Sequence, residues 1–523
     1  MKASVELSRR AGVVGLVALA GCQASTPEPR EELPAIPRAV VERFTLDVSP
    51  MDPAEEPIHV MGRSERADRE GVDAPSAAIE LEDVLHAVDR HFPLILAARE
   101  EIEIAEGELI AARGGFDTSL GTDAYVRTEG FRETERLDVF LEQPTPFWGT
   151  SFEGGYRFGL GDFDFYEEGY QTNESGELRL GVNVPLFQGR TIDPRRVALW
   201  QARLSRDQAD PLVLAKRLEV ARKATDAYWK WVAAGRLREI ALRLLALADD
   251  RTEQIENGVE EGLLAPINLT ENQRLVVERQ ANLVRAERGL QETAIALSLY
   301  WRDVDGRPLV PVDDLLPYDF PNVHAADDVL IEADVEFALT HRPEIQGFAL
   351  ELESLGLSEE LAENRLLPTV DLGVYASQDL GDGVSTPDDK GDFELAFMLE
   401  FALPLQLRSA RGGTRELRAR VRQLQRQVQF ARERIVTEVQ DARSALRQNW
   451  LAIAQARENV RLANELAELE RFQLSVGESD LLRVNLREQQ AAVAGASYVA
   501  VLRDYFRALG SYRAVIGVPS SVD

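Results

Sequence analysis

A single cysteine, Cys22, in 523 residues rules out an intramolecular disulfide. The five histidines, at 59, 86, 91, 324 and 341, show no metal-ligand spacing, and His91 and His341 recur because each precedes a helix-opening proline by two residues. No uninterrupted apolar run reaches the ~18 residues that a bilayer-spanning helix needs, so any insertion into a membrane must be by strands. A nucleophile–base pair, a phosphate loop and a cofactor fingerprint are all missing, which leaves no basis for an enzyme, a cofactor or a metal site. Positive charge is in short supply: 59 Lys and Arg stand against 89 Asp and Glu, a net charge of −30. Such a chain repels phosphate backbones and excludes nucleic acid as a general partner. The basic helix face Arg415, Arg418, Arg422 and Arg426 is therefore read as a solvated or inter-helix face.

What is present begins at the N-terminus. Lys2, Arg9 and Arg10 precede a short apolar run, AGVVGLVALA (11–20), and then Leu19-Ala20-Gly21-Cys22. This is the layout of an export signal, residues 1–21. The tetrapeptide resembles a bacterial lipobox, and thioether lipidation of Cys22 is the expectation, set against a chance cysteine in an ordinary signal peptide. More than one acyl chain would then anchor it, each buried CH₂ contributing ~0.8 kcal/mol. Gln23, rather than Asp, leaves outer-membrane sorting open. Residues 22–78 hold eight prolines and no sustained periodicity, the composition of a disordered tether.

The remainder is two copies of one unit. IELEDVLHAVDRHFP (79–93) lies over VLIEADVEFALTHRP (329–343) at an offset of 250, which also carries Leu120 onto Val370 and Tyr125 onto Tyr375. NVPLFQGR matches FALPLQLR through Pro185 and Pro404, and EEGLLAPINLTENQ matches SVGESDLLRVNLRE through Gly262 and Gly477. The copies span 79–312 and 329–518, joined by a linker over 313–328 and followed by a tail, 519–523. Between its paired prolines the first copy is longer, and the surplus, about 127–175, is assigned to loops, although FWGTSFEGGYRFGLGDFDFY alternates like strand.

Each copy reads as a helix interrupted at Pro93 or Pro343, a strand pair, a helix of about 60 residues and a last one of about 35. The strand pairs are 120–126 with 178–184, and 370–375 with 393–401. The long helices run over 195–258 and 415–476, the last ones over 267–302 and 481–516. Val421, Val428 and Ile435 recur at seven, as do Val439, Leu446, Ile453 and Val460, which predicts coiled-coil packing. The first and last helices of a copy, stacked end to end, match one long helix. In FELAFMLEFALPL, Phe393, Leu395, Phe397, Leu399 and Phe401 share one strand face, and Leu178, Leu180, Val182 and Val184 repeat the pattern. Very long helices leave both hairpins in one direction, so few elements remain to cover that face. Four strands per chain cannot close a barrel, since the smallest membrane barrels have about eight, and open edges are not tolerated in lipid. Closure then requires several chains.

The lipobox LAGC, the paired LEDVLHAVDRHFP and IEADVEFALTHRP, the strand exits VPLFQG and LPLQL, and the glycine turns at 262 and 477 together resemble the outer-membrane efflux protein family, the TolC-like channels. The resemblance covers about 79 to 518. It implies a mainly α chain with a small β part, a homotrimer whose twelve strands close one barrel in outer-membrane lipid, and twelve helices continuing it as a coiled-coil tunnel in the periplasm. It implies a closed tip at the turns near Gly262 and Gly477, work with a periplasmic adaptor and an inner-membrane transporter, and passive conduction of cargo. Family tips carry acidic rings. Here Glu478 and Asp480 are followed by basic Arg483, and the first turn offers Glu260, Glu261 and Asn268, so an ordinary solvated helix turn stands beside the aperture reading. Phe147 and Trp148 suit an interfacial aromatic girdle, while Trp229, Trp231, Trp301 and Trp450 are read as helix packing. The alternative function is a non-conducting coiled-coil lipoprotein spacer, which would not need duplicated amphipathic hairpins.

Overall fold

The computed structural model describes residues 78–129, 132–161, 163, 168–324, 331–382 and 393–518. The signal segment, Cys22, the tether up to residue 77, linker residues 325–328, residues 329–330 at the start of the second copy and the tail lie outside the described residues. In the first copy the elements are α1 (Leu81–His91), α2 (Pro93–Arg113), β1 (Ser119–Arg127), β2 (Thr134–Pro144), β3 (Ser151–Gly161), β4 (Glu177–Pro185), α3 (Pro194–Glu260) and α4 (Pro266–Leu297). In the second they are α5 (Ile331–His341), α6 (Pro343–Asn364), β5 (Thr369–Asp379), β6 (Phe393–Ala402), α7 (Arg408–Ser475) and α8 (Leu481–Ile516).

Both interruptions have one cause. A residue before proline is driven out of the helical region by the ring, and Phe92 (ψ 121°) and Arg342 (ψ 130°) are extended while Pro93 and Pro343 open the next helix. At the start of α3, Asp193 caps the helix by accepting from Arg195 N at 2.9 Å, with Pro194 in its first position. The long helices have 67 and 68 residues, so each runs ~100 Å. Along α3 lie α2 and then α4; along α7 lie α5, α6 and α8. The heptad residues Ile435, Val439, Leu446, Ile453 and Val460 are buried, as coiled-coil packing requires. A strap leaves α4 and crosses α3. There Leu315 O accepts from Ile79 N at 3.0 Å, and Leu316 seats against Gly235, where a Cβ would collide with it.

The sheet departs from the sequence expectation. Among the described residues it has six antiparallel strands in the order β1 to β6, not four. β1 does not pair with β4. It pairs with β2 from Ser119↔Glu142 to Arg127↔Thr134, β2 pairs with β3, and β3 pairs with β4. Most of the surplus expected in loops is therefore a hairpin inserted between the two strands of the first copy. An even number of added strands returns the chain in its former direction, so an antiparallel sheet accepts a hairpin without disturbing the strands downstream. Three such sheets carry 18 strands, and the expected total of twelve does not follow from this chain. Two helix limits also move. α7 starts at Arg408 and runs through Gly412 and Gly413, whose cost of ~1 kcal/mol each a helix this long absorbs. α4 stops at Leu297, leaving Trp301 outside it, because Asp303 Oδ1 accepts from Asp305 N (3.0 Å) and Arg307 N (2.7 Å) and turns the chain.

Candidate functional site

Strand register decides which side chains share a face, because directly paired residues point the same way. One row crosses all six strands as Leu395, Ala376, Leu180, Gly154, Leu141 and Leu120. The expected lipid-facing residues Phe393, Leu395, Phe397, Leu399 and Phe401 all lie on this side and are all exposed, Phe397 at 70%. Among the described elements no α-helix packs against the sheet to any extent, and the short turn Gly114–Phe116 touches β2.

The opposite face is polar. Asp379, Glu177, Arg157, Asp138 and Asp123 form one of its rows. Asp138 there meets Arg157 at 2.6 Å and Arg136 at 3.1 Å, and Arg157 reaches Glu177 at 3.7 Å. Tyr170 lies against this cluster, its ring 4.4 Å from Arg136 Cζ and 4.8 Å from that of Arg157. At the helix-side rim the β2–β3 turn presents Phe147 and Trp148, exposed like the nearby Phe187, and Arg190 stands 5.7 Å over the Trp148 ring.

The two turns matched by the repeat are built alike. Gly262 (φ +71°) and Gly477 (φ +79°) are left-handed, a conformation that L side chains pay to enter. Gly262 N donates to Val259 O and Leu263 N to Gly258 O; likewise Gly477 N donates to Leu474 O and Glu478 N to Gln473 O. These pairs are the two bonds of the glycine-closed helix terminus, here ending α3 and α7. Asp480 caps α8 by accepting from Arg483 N at 2.9 Å, and its other oxygen stands 3.6 Å from the same residue's guanidinium. Glu261 is the last cap of α3, and Asn268 lies half-buried in the first turn of α4, its N–H donating to Ala265 O. Glu478, Asp480, Arg483 and Glu261 are exposed at these ends.

This arrangement of a small antiparallel sheet and long helices recurs in solved structures. The open-state outer-membrane channel MtrE of Neisseria gonorrhoeae superposes with a TM-score of 0.61 at 15% identity, over 85% of this chain and 90% of that one. The outer-membrane channel OprN gives 0.60 at 14%, over 84% and 89%, and the outer-membrane protein VceC of Vibrio cholerae gives 0.59 at 16%, over 84% and 97%. The chain has the fold of a TolC-like outer-membrane channel protomer. No family model and no curated protein matches the sequence. These neighbours are channel proteins, not enzymes.

Within the TolC-like fold, one charged site escaped the sequence reading. Glu488 of α8, fully buried, takes Arg251 of α3 at 2.5 Å and Arg279 of α4 at 3.2 Å. Arg251 also donates to Asn485 Oδ1 at 2.5 Å, and Arg279 to Leu244 O at 2.6 Å. Burial lowers the Arg279 pKa and the Glu488 carboxylate opposes that shift. The cluster ties the first helical hairpin to the second about three turns from the glycine turns. Its signal was a charge in apolar register: Glu488 falls between Val484 and Ala491 on the buried stripe of α8. The tryptophans pack as expected where buried. Trp229 stacks on Phe506 at 4.4 Å and on Phe320 of the strap at 5.6 Å. Arg418, of the basic face, joins α7 to α6 through Glu359 at 3.1 Å and Glu363 at 2.5 Å.

Proposed function

We propose that this chain is one protomer of a passive outer-membrane conduit, a homotrimer that carries cargo from the periplasm to the exterior together with a periplasmic adaptor and an inner-membrane transporter. The observation that carries this reading is the six-stranded sheet with one uncovered apolar face and one charged face, which is the distribution of a wall between lipid and water. Each sheet keeps two open edges, β1 and β6, and lipid does not tolerate open edges. Copies of the chain close them, and their long helices continue the wall as a tunnel into the periplasm. Acylation at Cys22 adds an anchor at the membrane.

Gating belongs at the helix ends. Gly262 and Gly477 end the helices farthest from the sheet, and three-fold assembly brings six such turns together. Charges at Glu478, Asp480 and Arg483, with Glu261 and Asn268 on the other turn, then surround the aperture. The Asp480–Arg483 pair lies within one helix end, is exposed and worth only ~0.2–1 kcal/mol, and is made whether the aperture is open or closed, so the bias toward closure rests on attraction among these charges across the three-fold arrangement. Arg483→Glu replaces attraction by repulsion, so the conductance of purified trimers in planar bilayers should rise above that of the unaltered protein. A trimer that passes no ions in either form would refute the conduit and leave the coiled-coil spacer.

A further inference from the structure

The hairpin of β2 and β3 is a departure from two matched copies, and its residues obey the rules of the wall. The β2–β3 register runs without a break from Thr134↔Gly161 to Pro144↔Ser151. Leu137, Val139 and Leu141 of β2, with Phe152, Tyr156 and Phe158 of β3, fall on the same side as Phe397. Leu141 and Phe152 are exposed at 48% and 50%, close to Leu395 at 53%. On the other side the hairpin supplies Asp138 and Arg157 to the charged cluster it shares with Glu177 and Arg179 of β4. A loop decorating the outside of a barrel has no reason to alternate in phase with the wall, nor to bury ion pairs against its lumen face. The hairpin's turn also ends at the rim where the other strands end, since Gly149 packs on Gly189 and Pro185 at the exit of β4.

We propose that β2 and β3 are wall strands of the assembled barrel, which closes β6 of one copy on β1 of the next to give 18 strands from three chains. This rests on the conduit reading above. Strands ~4.8 Å apart and tilted ~40° make a closed circuit of about 113 Å for 18 strands and about 75 Å for 12. The helical tunnel has its own circuit. In cross-section each chain contributes four helices (α3, α7, and the stacked pairs α2 with α4 and α6 with α8), so three chains supply twelve. At ~9 Å between axes these make a circuit of about 108 Å. The wider barrel therefore meets the tunnel at equal width and ordinary strand tilt, whereas twelve strands would have to tilt steeply to reach it. The membrane segment then does not narrow the conduit, and selection by size falls to the tip.

Spin labels test the placement in trimers reconstituted into phosphatidylcholine vesicles, in a Cys22→Ser background so that the label has one target. Labels go on Leu141→Cys, on Glu142→Cys beside it and on Phe397→Cys as the reference wall position. Collision with oxygen, which concentrates in lipid, relative to a water-soluble nickel chelate should be similar at 141 and 397 and several-fold lower at 142. A lipid-type ratio at 397 with an aqueous ratio at 141 would overturn the hairpin's place in the wall and leave the conduit standing. Aqueous ratios at both would overturn the conduit as well. Electron cryomicroscopy of the same trimers gives an independent count: 18 strands support the proposal, and twelve with β2 and β3 outside the wall refute it.

Discussion

Replacing Glu488 by glutamine is the sharpest test of how the two helical hairpins are held together. The side chain keeps its shape and loses its charge, in a site where Glu488 has no exposed surface and Arg279 is 2% exposed. Two guanidinium groups then keep only neutral acceptors, Asn485 Oδ1 and Leu244 O. Removing one partner of a buried ionic site costs about 3–5 kcal/mol, because the remaining charge is left uncompensated. For a large domain each kcal/mol lowers the melting temperature by about 2 °C, so a drop of roughly 6–10 °C is expected. The measurement is circular dichroism at the helical band on detergent-solubilised trimers, at a single scan rate because unfolding of such assemblies is irreversible. Glu458→Gln serves as the control, since Glu458 pairs with Arg461 in an exposed site where solvent screens the pair, and its loss should leave the melting temperature nearly unchanged. A triple change to Arg251→Met, Arg279→Met and Glu488→Leu should recover most of the loss, as apolar packing of similar volume replaces buried ions at little cost. If Glu488→Gln melts within 2 °C of the unaltered protein, as Glu458→Gln should, the cluster is not a tie between the hairpins.

Phe397→Arg should cost ~2–4 kcal/mol if the residue lies near the membrane midplane, read as loss of assembled trimer in the membrane fraction; Glu400→Gln, on the charged face, should assemble normally, and equal impairment by both would show the faces to be assigned the wrong way round. Gly477→Ala should destabilise by ~1–2 kcal/mol through backbone conformation alone, because φ is +79° while the space around its Cβ position is empty; Gly477→Asn, better suited to that conformation, should recover part of the melting temperature, and an alanine variant as stable as the parent would contradict a left-handed turn. Cys22→Ser should abolish labelling by a fatty-acid analogue, and undiminished labelling would place the acyl chains elsewhere.

The sequence by itself determined the duplication, the helix breaks and the faces of the strands. Each depends on local rules: Pro93 and Pro343 must stop a helix, Gly262 and Gly477 suit a left-handed turn at matched places in the two copies, and alternation in 393–401 and 178–184 fixes which side chains go together. The heptads of α7 were legible for the same reason. Two things were decided only by the tertiary structure. Alternation assigns faces but not neighbours, so β1 looked like the partner of β4 until the ladders showed β2 and β3 between them. A strand's partner depends on which edges meet in space, and the length of intervening chain does not reveal whether it returns as loop or as sheet. The buried cluster was hidden for a related reason. Glu488 is 237 residues from Arg251 and 209 from Arg279, and a carboxylate on an apolar stripe acquires its partners only when three helices converge. In isolation such a residue looks like a surface charge, because the low dielectric that makes its pairing matter is created by the packing itself.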